Sequence, residues 1–136
     1  MRHLRAGKLL WYAPDQDFGP QRSVFAPFFG LATATATGIP NMARMGNAVV
    51  LAMYPMRDAG SGRVRVVIEP PFENFPSGDD AHDLARFNAF LERHIRRDPA
   101  QYFWVHRRFK TAPEGEGDRY EGIRRRRSRR RRRQGG

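Results

Sequence analysis

The sequence predicts an α/β fold with at least one parallel crossover. Short apolar runs alternate with helical segments in the order strand, loop, helix, strand, strand, helix. The run Ala48 to Tyr54 is continuously apolar, as in a strand covered on both faces. Ala81 to Arg97 carries Leu84, Phe87, Leu91 and Ile95 on one helical face and Arg86, Glu92, Arg93, Arg96 and Arg97 largely off it. Two helices cannot cover both faces of such a sheet, so the chain reads as the C-terminal part of a larger α/β unit.

Each element has a local reason. Leu9 to Ala13 is apolar and stopped by Pro14, which suits a buried strand. Pro14 to Pro20 has turn chemistry. Ser23 to Phe29 is apolar and prolyl, a short strand with a packed connector. The Ala/Thr stretch Ala32 to Thr37 reads as a tightly packed helix start, with the main helix beginning near Pro40 and ending at Gly46. After the turn Asp58 to Gly62, Arg63 to Glu69 alternates at first, like a strand nearer the sheet edge. Asp79 or Asp80 caps the helix that Asp98-Pro99 stops, and Gln101 to Val105 reads as an aromatic, buried strand.

Charge separates two parts of the chain. Of 25 Lys and Arg residues, nine lie in Arg124–Arg127 and Arg129–Arg133, which leaves 16 basic against 14 acidic residues in the remainder. The basicity therefore belongs to a tail, a disordered polycation suited to anionic surfaces, whether RNA, DNA or acidic lipid headgroups. It lacks interleaved aromatics for base stacking, so its nucleic-acid affinity is expected to be nonspecific. The absence of cysteine removes disulfides, thiolate zinc sites and thiol nucleophiles. The longest mostly apolar stretch, Asn47 to Met56, is half the ~20 residues of a spanning helix.

Two clusters could carry chemistry. Asp15 and Asp17 follow a predicted strand, where ligands of open α/β sheets gather. Asp-x-Asp can bind a divalent cation, orient a catalytic group, or cap a loop. His106, Arg107 and Arg108 follow the aromatic run, and arginine forks match phosphate oxygens, although a solvated basic strand end has the same composition. His94 lies near the apolar helix face, a core-edge position. The small Ala/Thr side chains would let an acyl chain or another backbone approach closely.

Four blocks together are more specific: Trp11-Tyr12-Ala13-Pro14-Asp15-Gln16-Asp17-Phe18-Gly19, Ser23 to Phe29, Glu73-Asn74-Phe75-Pro76-Ser77-Gly78-Asp79, and Gln101 to Glu116. In this order and spacing the chain resembles, from about Arg5 to Tyr120, the C-terminal part of the lipid A biosynthesis lauroyl/myristoyl acyltransferases of Gram-negative bacteria. The resemblance implies a partial sandwich of the glycerol-phosphate acyltransferase type with a mixed, mostly parallel sheet over residues 1–120; the arginine-rich tail over 121–136 departs from the family pattern. The resemblance also implies transfer of a fatty acyl group from acyl-acyl carrier protein to a hydroxyl of a phosphorylated glucosamine lipid, at the cytoplasmic face of the inner membrane, with no cofactor.

The family's catalytic centre is a His with Asp or Glu five positions later, the His acting as general base. Here the fifth residues after His3, His82, His94 and His106 are Lys8, Phe87, Pro99 and Thr111. The pair, like the membrane anchor, is therefore expected upstream of residue 1, and the chain is expected to be inactive alone. By resemblance Asp15 aligns with a functional aspartate and orients a cationic group in a supporting role, while His106, Arg107 and Arg108 support the fold or bind phosphate. The competing expectation is a nonenzymatic polyanion binder acting through the tail.

Overall fold

The computed structural model describes residues 1–123; Arg124 to Gly136, and with them the arginine run, lie outside the described residues. The fold is mixed α/β. Helix α1 (Arg2–Arg5) leads to hairpin β1 (Ser23–Phe28) and β2 (Leu31–Ala36), then α2 (Gly38–Gly46), hairpin β3 (Met53–Arg57) and β4 (Val64–Ile68), and the long helix α3 (Asp80–Arg97). Both sheets are two-stranded and antiparallel, with Phe28 opposite Leu31 in one and Arg57 opposite Val64 in the other. The expected parallel crossover is not formed by the described residues. Leu9 to Ala13 and Ala48 to Ala52 have strand-like composition but form no ladder, and Leu9, Trp11 and Val49 are more than two-thirds exposed. Beyond β3 and β4, Val50 and Ala52 accept backbone hydrogen bonds from Phe72 and Glu69 and extend that pairing irregularly.

The Ala/Thr stretch forms strand β2 and not the start of a helix. Its strict Ala-Thr alternation has period two, and the β-branched threonines favour a pleated surface. The turn joining β1 to β2 places Phe29 at φ 49° and Gly30 at φ 77°. Positive φ at both central residues is the geometry whose twist matches flanking strands. Phe29 is held in that uncommon conformation from outside: its N–H donates to Glu92 Oε1 at 2.7 Å, and Arg96 stands 5.0 Å over its ring.

Helix α2 starts as expected, with Pro40 in the first turn and buried, and it closes on Asn47 in the left-handed conformation. Helix α3 begins where Asp79 accepts hydrogen bonds from the N–H groups of Ala81 and His82, satisfying two donors that a helix start leaves open. Its apolar face packs on the first hairpin. Phe28 and Leu84 are fully buried, with Ala26, Ala34, Phe87, Phe90 and Ile95 around them. Each fully buried large side chain contributes about 1.5–3 kcal/mol.

Gln101 to Val105 is not a buried strand. Phe103 and Val105 are 66% and 80% exposed, because turn bonds from Trp104 N to Tyr102 O and from His106 N to Phe103 O replace any ladder. Tyr102 is the half-buried residue of this run, with its ring 6.4 Å from Phe28. Among the described residues no helix is long and apolar enough to cross a membrane.

Candidate functional site

The segment from Tyr102 to Thr111 folds back on the loop that holds Asp15 and Asp17. Asp17 is buried. Its Oδ1 accepts from Gly19 N and Thr111 Oγ1, and its Oδ2 from Thr111 N, each at 2.9 Å. Its own N–H donates to His106 Nε2 at 2.9 Å, which leaves the proton of a neutral His106 ring on Nδ1. Both carboxylate oxygens are therefore engaged by the fold, a loop-capping role. Among the described residues no three His, Cys, Asp or Glu side chains come together as metal ligands.

Asp15, two residues earlier, has a different environment. It lines a cavity of about 460 Å³ whose walls come from Trp11, Met42, Phe87, Phe90, Ile95 and Phe103 among others. The Tyr102 hydroxyl belongs to the same cavity wall and feels the Asp15 charge. Burial first, and then the Asp15 charge, push that hydroxyl up to about 12, so Tyr102 is a donor throughout the neutral range.

His106, Arg107 and Arg108 do not converge on one surface. His106 is engaged by Asp17. Arg107 is exposed, its guanidinium 5.9 Å from the Tyr120 ring centre. Arg108 is 1% exposed: it donates to Ala34 O at 2.5 Å, to Thr35 Oγ1 at 2.9 Å and to Asn88 Oδ1 at 3.5 Å, with Phe28 beneath it at 5.2 Å. Burial lowers its pKa, and the nearby Tyr102, Asp17 and Asp15 oppose that shift. Of the three, only Arg107 is well placed to meet a soluble phosphate.

The cavity wall also holds His94, at the core-edge position expected of it, and Tyr54 and Tyr102, which the sequence did not single out. His94 sits between Tyr54 and Phe90, each ring 4.3 Å away, with Nε2 3.8 Å from Glu69 Oε1. Tyr54 donates to the same Glu69 oxygen at 2.8 Å. Burial and Arg97 lower the His94 pKa against the pull of Glu69. Tyr102 was legible only as one aromatic in a run. The signal available was that a buried tyrosine needs a partner for its hydroxyl.

A largely hydrocarbon cavity with two carboxylates (Asp15, Asp98) and three tyrosines (Tyr12, Tyr54, Tyr102) in its wall can hold an amphipathic molecule, burying the tail and leaving polar groups to fix its orientation. The family model described as bacterial lipid A biosynthesis acyltransferase matches residues 1–111, which include the Asp15 loop and the whole cavity wall. The chain belongs to that family. It is 41% identical over 118 residues to a lipid A biosynthesis palmitoleoyltransferase of Escherichia coli (strain K12), covering 86% of this chain and 38% of that protein. It is 42% identical over 122 residues to a lipid A biosynthesis lauroyltransferase of the same organism, covering 88% and 40%. A lipid A biosynthesis myristoyltransferase of that organism is 31% identical over 121 residues, covering 89% and 38%. The chain thus spans about two-fifths of the length of these relatives.

Proposed function

We propose that this chain builds the supporting wall of a lipid A acyltransferase site. The cavity takes a fatty acyl chain, and Asp15 orients a cationic group beside the reacting atoms. The reaction it serves moves the acyl group from acyl-acyl carrier protein to a hydroxyl of a phosphorylated glucosamine lipid, at the cytoplasmic face of the inner membrane. The hydroxyl oxygen bonds to the thioester carbonyl carbon, the carbon–sulfur bond breaks, and a general base passes the hydroxyl proton to the leaving thiol. None of the four histidines here has an Asp or Glu five positions later. The base therefore comes from outside this chain, and the chain alone does not transfer.

The observation that carries this reading is the placement of Asp15 in an apolar cavity within the family-matched residues. In the glycerol-phosphate acyltransferase-type sandwich, Leu9 to Ala13 and Ala48 to Ala52 would become strands once given partners, consistent with their apolar composition and exposure. Arg107 is then the residue free to meet a phosphate, with Arg108 supporting it from the core.

A chimera tests it. Residues 1–111 replace the matching segment of the E. coli lauroyltransferase, and transfer is assayed with acyl-acyl carrier protein and a phosphorylated lipid acceptor. The expected result is transfer by the chimera and none by the 136-residue chain. A folded but inactive chimera, or transfer by the chain alone, would contradict the reading.

A further inference from the structure

When an antiparallel hairpin packs one face on a core, its other face meets water and is normally polar. Hairpin β3–β4 departs from this pattern. Tyr54, Met56 and Val67 are half-buried, and the Tyr54 ring meets Phe90 of α3 at 6.1 Å. The opposite face carries Met53, Pro55, Val64, Val66 and Ile68, all exposed, with Met53 opposite Ile68 and Pro55 opposite Val66 in the ladder. The apolar surface does not stop there. Met53 and Pro55 also line the cavity, whose mouth continues through Trp11, Val49, Leu51 and Phe103, each at least half exposed. Gln101 fastens the turn that carries Phe103 to the hairpin: its Oε1 accepts from Arg57 N at 2.7 Å and its Nε2 donates to Arg57 O at 2.9 Å. A contiguous exposed apolar surface of this kind marks an interaction site.

Charge decides what covers it. Residues 1–14 and 48–68, which supply most of this surface, hold six Lys or Arg against one acidic residue, while the other described residues hold ten against thirteen. The one acidic residue, Asp58, is turned into its own loop, its Oδ1 accepting from the Ser61 N–H and hydroxyl, each at 2.7 Å. Arg57 stands on the apolar face opposite Val64, and Arg63 at the hairpin end; both are exposed. An apolar face bordered by arginines suits an anionic bilayer, because the apolar groups enter the acyl boundary while the guanidiniums reach headgroup phosphates. A second copy of the chain would bring like charge against like. We propose that the exposed β3–β4 face and the adjoining cavity mouth dock on an anionic phospholipid surface, so that the cavity opens toward acyl chains. The proposal deepens the acyltransferase reading by naming the surface through which the cavity meets lipid. It rests on that reading for what enters the cavity, while the docking itself is read without turnover.

The test uses the full 136-residue chain and vesicles of phosphatidylglycerol or phosphatidylcholine whose acyl chains carry bromine near the headgroup end, a short-range quencher of tryptophan. Depth is the deciding readout, because adsorption through the arginine run alone would leave Trp11 in water. On phosphatidylglycerol the emission should shift to the blue and be quenched, and Trp11→Phe should lose the quenching and leave Trp104 unaffected. Val66→Glu should abolish it, and Arg57→Gln and Arg63→Gln should each weaken partitioning about fivefold. Binding without quenching would overturn the proposal. So would quenching that persists in Trp11→Phe or Val66→Glu, quenching of equal strength on phosphatidylcholine, or self-association that shields Trp11 from the vesicles. Circular dichroism confirms that each variant is folded, and the exposed Trp11→Phe and Arg57→Gln decide the matter should Val66→Glu unfold. An inactive chimera with vesicle quenching intact would remove the acyltransferase reading and leave the docking; an active chimera without quenching would do the reverse.

Discussion

Asp17 and Thr111 lie 94 residues apart in sequence and are joined by two hydrogen bonds, from the Thr111 N–H and hydroxyl to the two oxygens of one buried carboxylate. That clasp closes the Asp15 loop against the C-terminal segment. It turns two separate sequence blocks into one site.

Asp17→Ala should therefore cost about 1–3 kcal/mol of stability, because the Thr111 and Gly19 donors lose a charged acceptor inside the fold. Thr111→Val should cost less. In a double-mutant cycle the two should show coupling, since each removes the same contact. Urea denaturation of the three variants is the measurement, and additive effects would mean that the clasp is not energetically closed.

Arg108 is a cation in the core that donates to neutral groups: a carbonyl of β2, the Thr35 hydroxyl and the Asn88 amide oxygen on α3. Arg108→Ala leaves these acceptors without their donor and opens space above Phe28, at a cost on the order of 3 kcal/mol. Arg108→Lys should restore little, because an ammonium cannot reproduce a planar fork. Thermal melts of both variants check this.

Gly30 at φ 77° follows a phenylalanine that is already at positive φ. Gly30→Ala should destabilise the β1–β2 hairpin by about 1–2 kcal/mol through backbone strain, with open space around the new methyl. Lost protection in amide exchange confined to β1 and β2 is the signature.

His94 gives stability a pH dependence of definite sign. Its folded pKa lies below the ordinary value of 6.5 because burial and Arg97 disfavour its charge, with Arg93 acting the same way and Glu69 opposing them. The unfolded chain thus binds the proton more readily, and stability rises with pH in that window. The His94 contribution is complete above the unfolded pKa and is lost as pH falls below about 6.5 through the lowered folded value. Tyr54 and Phe90 enclose the ring and stay neutral there. Urea midpoints measured across that range should fall toward acid in the wild type and flatten in His94→Gln.

Helix α3 was legible because its apolar residues recur with helical period and Asp79 stands where a cap is needed. Strand β4 and the end of α2 were legible for similarly local reasons. The Ala/Thr stretch was misread because small residues suit a tightly packed helix start, although its alternation already favoured a strand. Leu9 to Ala13 and Gln101 to Val105 misled for another reason: an apolar run states that a strand is possible, while a ladder also needs a partner, and turns engage the backbone after Tyr102 instead. In the site, Asp15 was legible as one of an Asp-x-Asp pair. Nothing in that pair distinguished the residue facing the cavity from the one holding the loop. Arg108 looked like a surface cation because composition cannot show that a guanidinium has found three neutral acceptors indoors.

The most direct measurement is acyl transfer by the chimera carrying Asp15→Asn. If Asp15 orients a group beside the reacting atoms, the turnover rate should fall about 100-fold, with little change in the concentration of acyl donor needed for half-maximal rate. A variant chimera that is folded and transfers within twofold of its parent (a limit of about 0.4 kcal/mol on transition-state stabilisation) would contradict the account.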